Sequence, residues 1–167
     1  MAERIVAFPP VARSDARILV LGSMPSVKSL EKGFYYGHPR NAFWRIMAEV
    51  YGVELPENIE AKKHLLTDHR VALWDVLSAC RREGSLDSAI RDPEVNDFEG
   101  LFSACPGIRR ILFNGGTAHS LFMRYRGTLL EGRTWARMPS TSPAYTMSYE
   151  RKLALWRQAL VEEYEPM

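Results

Sequence analysis

Apolar residues follow two rhythms along this chain. Four short runs are almost continuously apolar and close on glycine or a polar residue: RILVLG at 17–22, VALWDVL at 71–77, RRILFNGG at 109–116 and TWARMPS at 134–140. Such runs predict buried strands. Between them the spacing changes to that of helices. NAFWRIMAEVYG predicts a helix with Asn41 as N-cap, Phe43, Ile46, Met47 and Val50 on one face, and Gly52 as its stop. Further helices are predicted over 59–69, in NDFEGLFSAC, in TAHSLFMRY and over 148–164. Strands alternating with helices predict an α/β fold with a parallel sheet covered on both faces. Ligands of such sheets sit at the carboxyl ends of the strands. That rule selects GSMPS, WDVLSACRREGS, FNGG and MPSTSPAYT, one after each predicted strand.

Length and composition narrow the class. A chain of 167 residues without repeats or low-complexity linkers is expected to form a single domain over 1–167. No apolar run approaches the roughly 20 residues that span a bilayer, so no membrane partner is expected. The N-terminus has no signal-peptide core, which predicts a cytoplasmic protein. Cys80 and Cys105 are too few for a cysteine-held cluster and read as buried thiols. The four histidines, at 38, 64, 69 and 119, show no metal-ligand spacing. No Walker sequence, dinucleotide fingerprint or G-x-S-x-G elbow is present. The expectation is therefore a protein without a metal site. Net charge is only +2, but most of the 22 basic residues are arginine, whose planar fork suits phosphate.

The remaining chemistry lies in amides and ring faces. FYYGHPRNAFW, at 34–44, crowds aromatic and hydrogen-bonding residues into one loop. Asn41 and Asn114 each carry two donors and an acceptor, suited to the edge of a nucleobase or the orientation of a water. Phe34, Tyr35 and Tyr36 offer faces for stacking a flat ligand. Ser140, Thr141 and Ser142, beside two prolines, could hold a phosphate. Each feature also has a plainer reading: Asn41 as a helix cap, the aromatics as core, the hydroxyls as a turn.

Taken together, ILVLGSMPS, GFYYGHPRNAFW, ALWDVL with GSLDSAI, ILFNG and MPSTSPA resemble the uracil-DNA glycosylase superfamily, and most closely its hypoxanthine-DNA glycosylase branch. The resemblance spans roughly residues 8–160. It implies a three-layer α/β/α sandwich around a four-stranded parallel sheet, and hydrolysis of the N-glycosidic bond of deaminated bases in DNA. Hypoxanthine heads the list, with uracil and xanthine as further candidates. It implies no cofactor, and the partner is DNA containing such bases, met by a monomer. The first motif, GSMPS, lacks the amide or acid with which other branches activate water; the resemblance gives that task to Asn41. The last motif has Ser140-Thr141-Ser142 where the uracil enzymes have a histidine, so uracil is not the expected best substrate. The implied roles are base contact by Gly22, Ser23 and Met24, stacking by Phe34 or Tyr36, and a bond from Asn114 to the base edge. Ser140, Thr141, Ser142 and Pro143 would meet the DNA backbone, and Tyr145 would wedge into the vacated stack. His38 and Asp75 are secondary candidates. The competing expectation is a non-catalytic α/β module that binds nucleotides or damaged DNA without cutting.

Overall fold

The computed structural model describes residues 2–161. In chain order its elements are β1 (Arg4–Val6), β2 (Ile18–Gly22), α1 (Val27–Lys32), α2 (Phe43–Tyr51), α3 (Ile59–Thr67), β3 (Val71–Asp75), β4 (Leu77–Arg81), β5 (Arg91–Val95), α4 (Phe98–Ala104), β6 (Arg110–Asn114), α5 (Gly116–Arg126), β7 (Thr134–Met138) and α6 (Tyr149–Val161). Four strands form a wholly parallel sheet in the order β3-β2-β6-β7. Every residue of β3 is buried, as are Leu19, Val20 and Leu21 of β2 and Ile111, Leu112 and Phe113 of β6. A parallel sheet covered on both faces requires such continuous burial. The helices gather in two groups. α2 packs on α3 and α6, with the Phe43 ring edge-on to Trp156. Phe98 of α4 meets Phe122 of α5 in the same edge-on manner.

The predicted strand 71–77 is corrected: it is two strands in two sheets. β3 ends at Asp75, and β4 begins two residues later in an antiparallel sheet ordered β1-β4-β5. At the junction Val76 donates its N–H to Gly22 O at 2.8 Å, and Leu77 donates to Ser23 O at 3.2 Å. The buried Asn96 clamps the bend by donating from Nδ2 to Asp75 O at 2.8 Å. Apolar residues continue through both strands, so the hydrophobic pattern carries no mark of the break. The partner β1 has only three residues and β5 is largely polar, and Pro93 lies on the edge strand, where a missing donor is tolerated.

The cap of α2 also differs in detail. Ala42 occupies the cap position without a side-chain bond, and Asn41, one residue earlier, accepts from the Phe43 N–H at 3.0 Å. Gly52 ends this helix in the left-handed region at φ 65°. The predicted closing helix 148–164 is seen as α6; residues 162–164 lie outside the described residues. Cys80 and Cys105 are buried free thiols. Among the described residues no helix is long and apolar enough to cross a membrane.

Candidate active site

The carboxyl ends of β2, β3 and β6, with the loop after β7, enclose a cavity of about 500 Å³. Gly22 and Asp75 face each other as register partners at the ends of β2 and β3. Gly22 leaves room for both side chains: a Cβ there would lie 2.5 Å from Asp75 Oδ1 and 3.0 Å from the Tyr36 hydroxyl, so the Asp75 carboxyl would have to shift. The chain then passes through Ser23 and Met24, both lining the cavity. The Gly22 and Ser23 carbonyls are already bonded to the β3–β4 junction, and Met24 is buried in the core. Ser23 Oγ donates to Asp87 Oδ1 at 2.9 Å, and Ser85 Oγ accepts from the Val27 N–H at 2.9 Å. The loop between β4 and β5 is thereby tied to the rim.

The aromatic loop at 34–44 divides its labour. Phe34 is 7 % exposed, stacks on Trp44 at 5.9 Å and does not line the cavity, so its expected role as a base-stacking ring is corrected to a packing one. Tyr35 is buried too; its hydroxyl donates to Pro9 O at 2.8 Å, and its carbonyl accepts from Trp44 Nε1 at 2.9 Å. These contacts anchor the loop from beneath. Three of the expected residues, Tyr36, His38 and Asn41, reach the cavity. Tyr36 sits at φ 54°, a left-handed conformation that costs free energy in a residue with a large side chain. Its hydroxyl is buried without a hydrogen-bond partner, and burial, followed by the charge of Asp75, pushes its pKa well above the usual tyrosine value. His38 Nδ1 accepts from the Arg40 N–H at 3.1 Å.

Opposite lies the serine-rich loop. Asn114 lines the cavity, yet its amide is engaged with Thr141: Nδ2 donates to Oγ1 at 3.0 Å, and Oδ1 accepts from the Thr141 N–H at 3.0 Å. Thr141 is 1 % exposed, and its carbonyl accepts from the Ala42 N–H at 3.0 Å. The expected contact of Thr141 with DNA is therefore corrected, since a side chain so enclosed cannot reach a phosphate. It locks Asn114 to the segment that carries Asn41. Ser140 and Ser142 line the cavity with their hydroxyls accepting from the N–H groups of Ser142 and Ala144, at 3.1 and 3.2 Å. Pro143 lies between the cavity and a neighbouring groove, and Tyr145 is half exposed on that groove.

That groove, of about 780 Å³, shares Tyr36, His38, Asn41, Thr141 and Pro143 with the cavity. Arg40, Arg45, Lys62 and Lys152 line it. Lys152 is 4 % exposed, donates from Nζ to Ser142 O at 3.0 Å, and lies 5.5 Å over the Tyr145 ring. Burial lowers its pKa, and burial followed by the charge of Lys32 lowers that of Lys62. Sequence reasoning missed these cations because Arg45, Lys62 and Lys152 sit on helices, where isolated basic residues resemble an ordinary solvated face.

Asp75 emerges as more central than the sequence suggested. It is 3 % exposed, its Oδ2 is buried without a hydrogen-bond partner, and burial raises its pKa to about 7. Arg82 opposes the rise and Asp87 supports it. Among the described residues no group of three or more His, Cys, Asp or Glu is arranged to hold a metal ion.

Comparison with known proteins identifies the family and the fold. A family model for the uracil DNA glycosylase superfamily matches residues 9–164. A hypoxanthine DNA glycosylase from Methanosarcina acetivorans is 40% identical over 150 residues, covering 89% of this chain and 93% of that one. A hypoxanthine DNA glycosylase from Methanosarcina barkeri is 41% identical over 109 residues, covering 65% and 69%. A solution NMR structure of a candidate uracil DNA glycosylase from Methanosarcina acetivorans superposes with a TM-score of 0.82 at 37% identity, covering 96% of this chain and 98% of that one.

Proposed function

The chain belongs to the uracil-DNA glycosylase superfamily, and from that premise we infer that it removes deaminated bases, hypoxanthine first among them, from DNA. The observation that carries this reading is a cavity at the strand ends, large enough for a base, that holds Asn41 and opens onto a groove lined by four basic side chains. An enzyme acting on a base must take it out of the stack, at a cost of about a few kcal/mol that is smaller for a mispaired base. The cavity receives the base. Phosphates on either side meet Arg40, Arg45 and Lys62 of the groove and the segment carrying Ser140 and Ser142, which the buried Lys152 holds through the Ser142 carbonyl. Tyr145, exposed on the groove, is our candidate for the residue that fills the gap left in the helix.

The bond between the base nitrogen and C1′ then breaks, its electron pair leaving with the base, while a water oxygen bonds to C1′. The water releases a proton to solvent, and the departing base gains one. The sugar passes through a cation-like transition state, as in other glycoside hydrolyses. Asn41 is our candidate for holding the water. One lone pair of its Oδ1 is used by the Phe43 N–H, which fixes the rotamer. The second lone pair and the amide hydrogens remain for water. Tyr36 supplies a ring at the cavity wall.

The test is release of free base from oligonucleotides carrying a single deoxyinosine, deoxyuridine or deoxyxanthosine. Release from deoxyinosine is expected. Binding to all three without release would instead establish a non-catalytic damage-binding module.

A further inference from the structure

Lys152 stands where an ammonium is disfavoured twice over. It is 4 % exposed and lies in the first turn of α6. Burial penalises a cation, and so does the positive end of a helix. Among the described residues no ion pair joins it to a carboxylate. Its ammonium meets two other groups instead. Nζ donates to Ser142 O at 3.0 Å and lies 5.5 Å over the Tyr145 ring. Ser142 O also accepts from the Tyr145 N–H at 3.1 Å, which closes the turn 142–145. One cation thus holds the start of this turn and the ring at its end.

The same face of α6 braces the chain on the other side of the serines. Trp156, four residues after Lys152 and so on its face, is fully buried and donates from Nε1 to Pro139 O at 3.0 Å. The start of the helix is fixed on α2. There the Tyr149 hydroxyl donates to Glu49 Oε1 at 2.8 Å, and the Arg45 guanidinium lies 3.7 Å over the Tyr149 ring. The stretch from Pro139 to Ser142 is therefore anchored at both ends on a helix that is itself anchored. Beyond Ser142 the chain is exposed, and Tyr145 has no other ring or cation contact among the described residues. The hold on that ring comes from Lys152.

We propose that Lys152 is a positioning residue for base extrusion: its ammonium holds the turn from Ser142 to Tyr145 so that the Tyr145 ring stands at the groove, set to enter the base stack. This rests on the glycosylase reading above and on Tyr145 as the residue that fills the gap. A hydrogen bond from a charged donor is stronger than a neutral one, and a cation over a ring face is attracted by the ring quadrupole. Both act in a site closed to water, where they are worth more than at an exposed surface. Because the turn is held before DNA arrives, it need not be ordered during the encounter. The enclosed ammonium works by placing the ring and touches no phosphate.

The experiment substitutes Lys152→Met, which fills similar space without a charge. Ser142 O keeps the Tyr145 N–H, so the melting temperature should stay near that of the wild type. Single-turnover release from a deoxyinosine duplex should slow by about 10-fold. Tyr145→Ala should slow it as well, and adding K152M to Y145A should then cost little more, because the two act as one unit. Losses that simply multiply would overturn the proposal. So would a lower melting temperature with an unchanged rate, which would make Lys152 a structural residue only. The salt dependence of DNA affinity should be the same with and without the substitution. A slope flattened by about one phosphate would show a direct backbone contact and overturn the positioning role. A second uncharged variant, Lys152→Gln, carries the same expectations and the same refutations, so the test does not hinge on the folding of one variant.

Fluorine NMR of protein labelled with fluorotyrosine provides a readout that needs neither DNA nor turnover. Tyr145→Phe identifies the Tyr145 signal by its absence. In the wild-type protein that signal should lie away from the position of free fluorotyrosine, and in K152M it should move toward that position and narrow. A signal indifferent to the substitution would overturn the proposal. If the signal moved but the wild-type protein released no base, the glycosylase reading would fall while the hold of Lys152 on the turn stood.

Discussion

Asn41 makes two demands on one side chain, and they separate experimentally. Its Oδ1 holds the Phe43 N–H at the start of α2, so Asn41→Ala should cost about 1 kcal/mol of stability, as lost caps do. If the same amide holds the attacking water, single-turnover base release should also fall by about 10²–10³-fold. Asn41→Asp keeps the acceptor and with it the cap, so its melting temperature should stay near wild type while its rate reports on the water alone. DNA affinity should barely move in either variant, because contacts to phosphate dominate it. A destabilised protein with a near-normal rate would leave Asn41 as a cap only. The sequence made this residue visible through its place before a helical pattern. It did not reveal that Phe34 and Tyr35, two and one residues ahead of Tyr36, turn into the core. All three rings look alike in a sequence; in the structure Phe34 and Tyr35 are buried, while Tyr36, in a left-handed backbone conformation, lines both the cavity and the groove.

At the scale of elements, the strand ends meet through single contacts that tolerate little change. Gly22→Ala would place a Cβ against the Asp75 carboxyl. Expected consequences are about 1–3 kcal/mol of overpacking, read as a lower melting temperature, and a larger fractional loss of base release than of DNA affinity. Asn114→Ala removes both bonds to Thr141. Loss of such a partly buried pair should cost about 1–3 kcal/mol, measured by urea denaturation. It should also slow base release, since the Thr141 carbonyl holds the Ala42 N–H next to Asn41. The alternating apolar runs made the four parallel strands legible, together with the rule that the site lies at their carboxyl ends. The second sheet stayed hidden. Arg4–Val6 has only three residues and Arg91–Val95 is largely polar, and they become strands by pairing with β4, so their structure comes from tertiary contacts.

For the molecule as a whole, the small net charge conceals an uneven distribution. Arg40, Arg45, Lys62 and Lys152 come from one loop and three helices, yet they line one groove. Binding to DNA should weaken steeply with salt, with a slope of about −0.9 for each phosphate neutralised. Arg40→Ala combined with Lys62→Ala should flatten the slope by up to about two contacts while the rate from the bound complex changes little. An affinity indifferent to salt from about 50 to 200 mM would show that the groove is not the path of the backbone.

The bond from the Ala42 N–H to the Thr141 carbonyl also has a meaning in time. Domains tend to fold as units while the chain emerges from the ribosome. The loop carrying Asn41 is made before the residue that fastens it, which follows every strand of the parallel sheet. A nascent chain therefore has β2 and the aromatic loop long before it has a closed cavity. Half-made copies should be unable to hold a flipped base, and synthesis of the segment after β7 should switch the site on in one step.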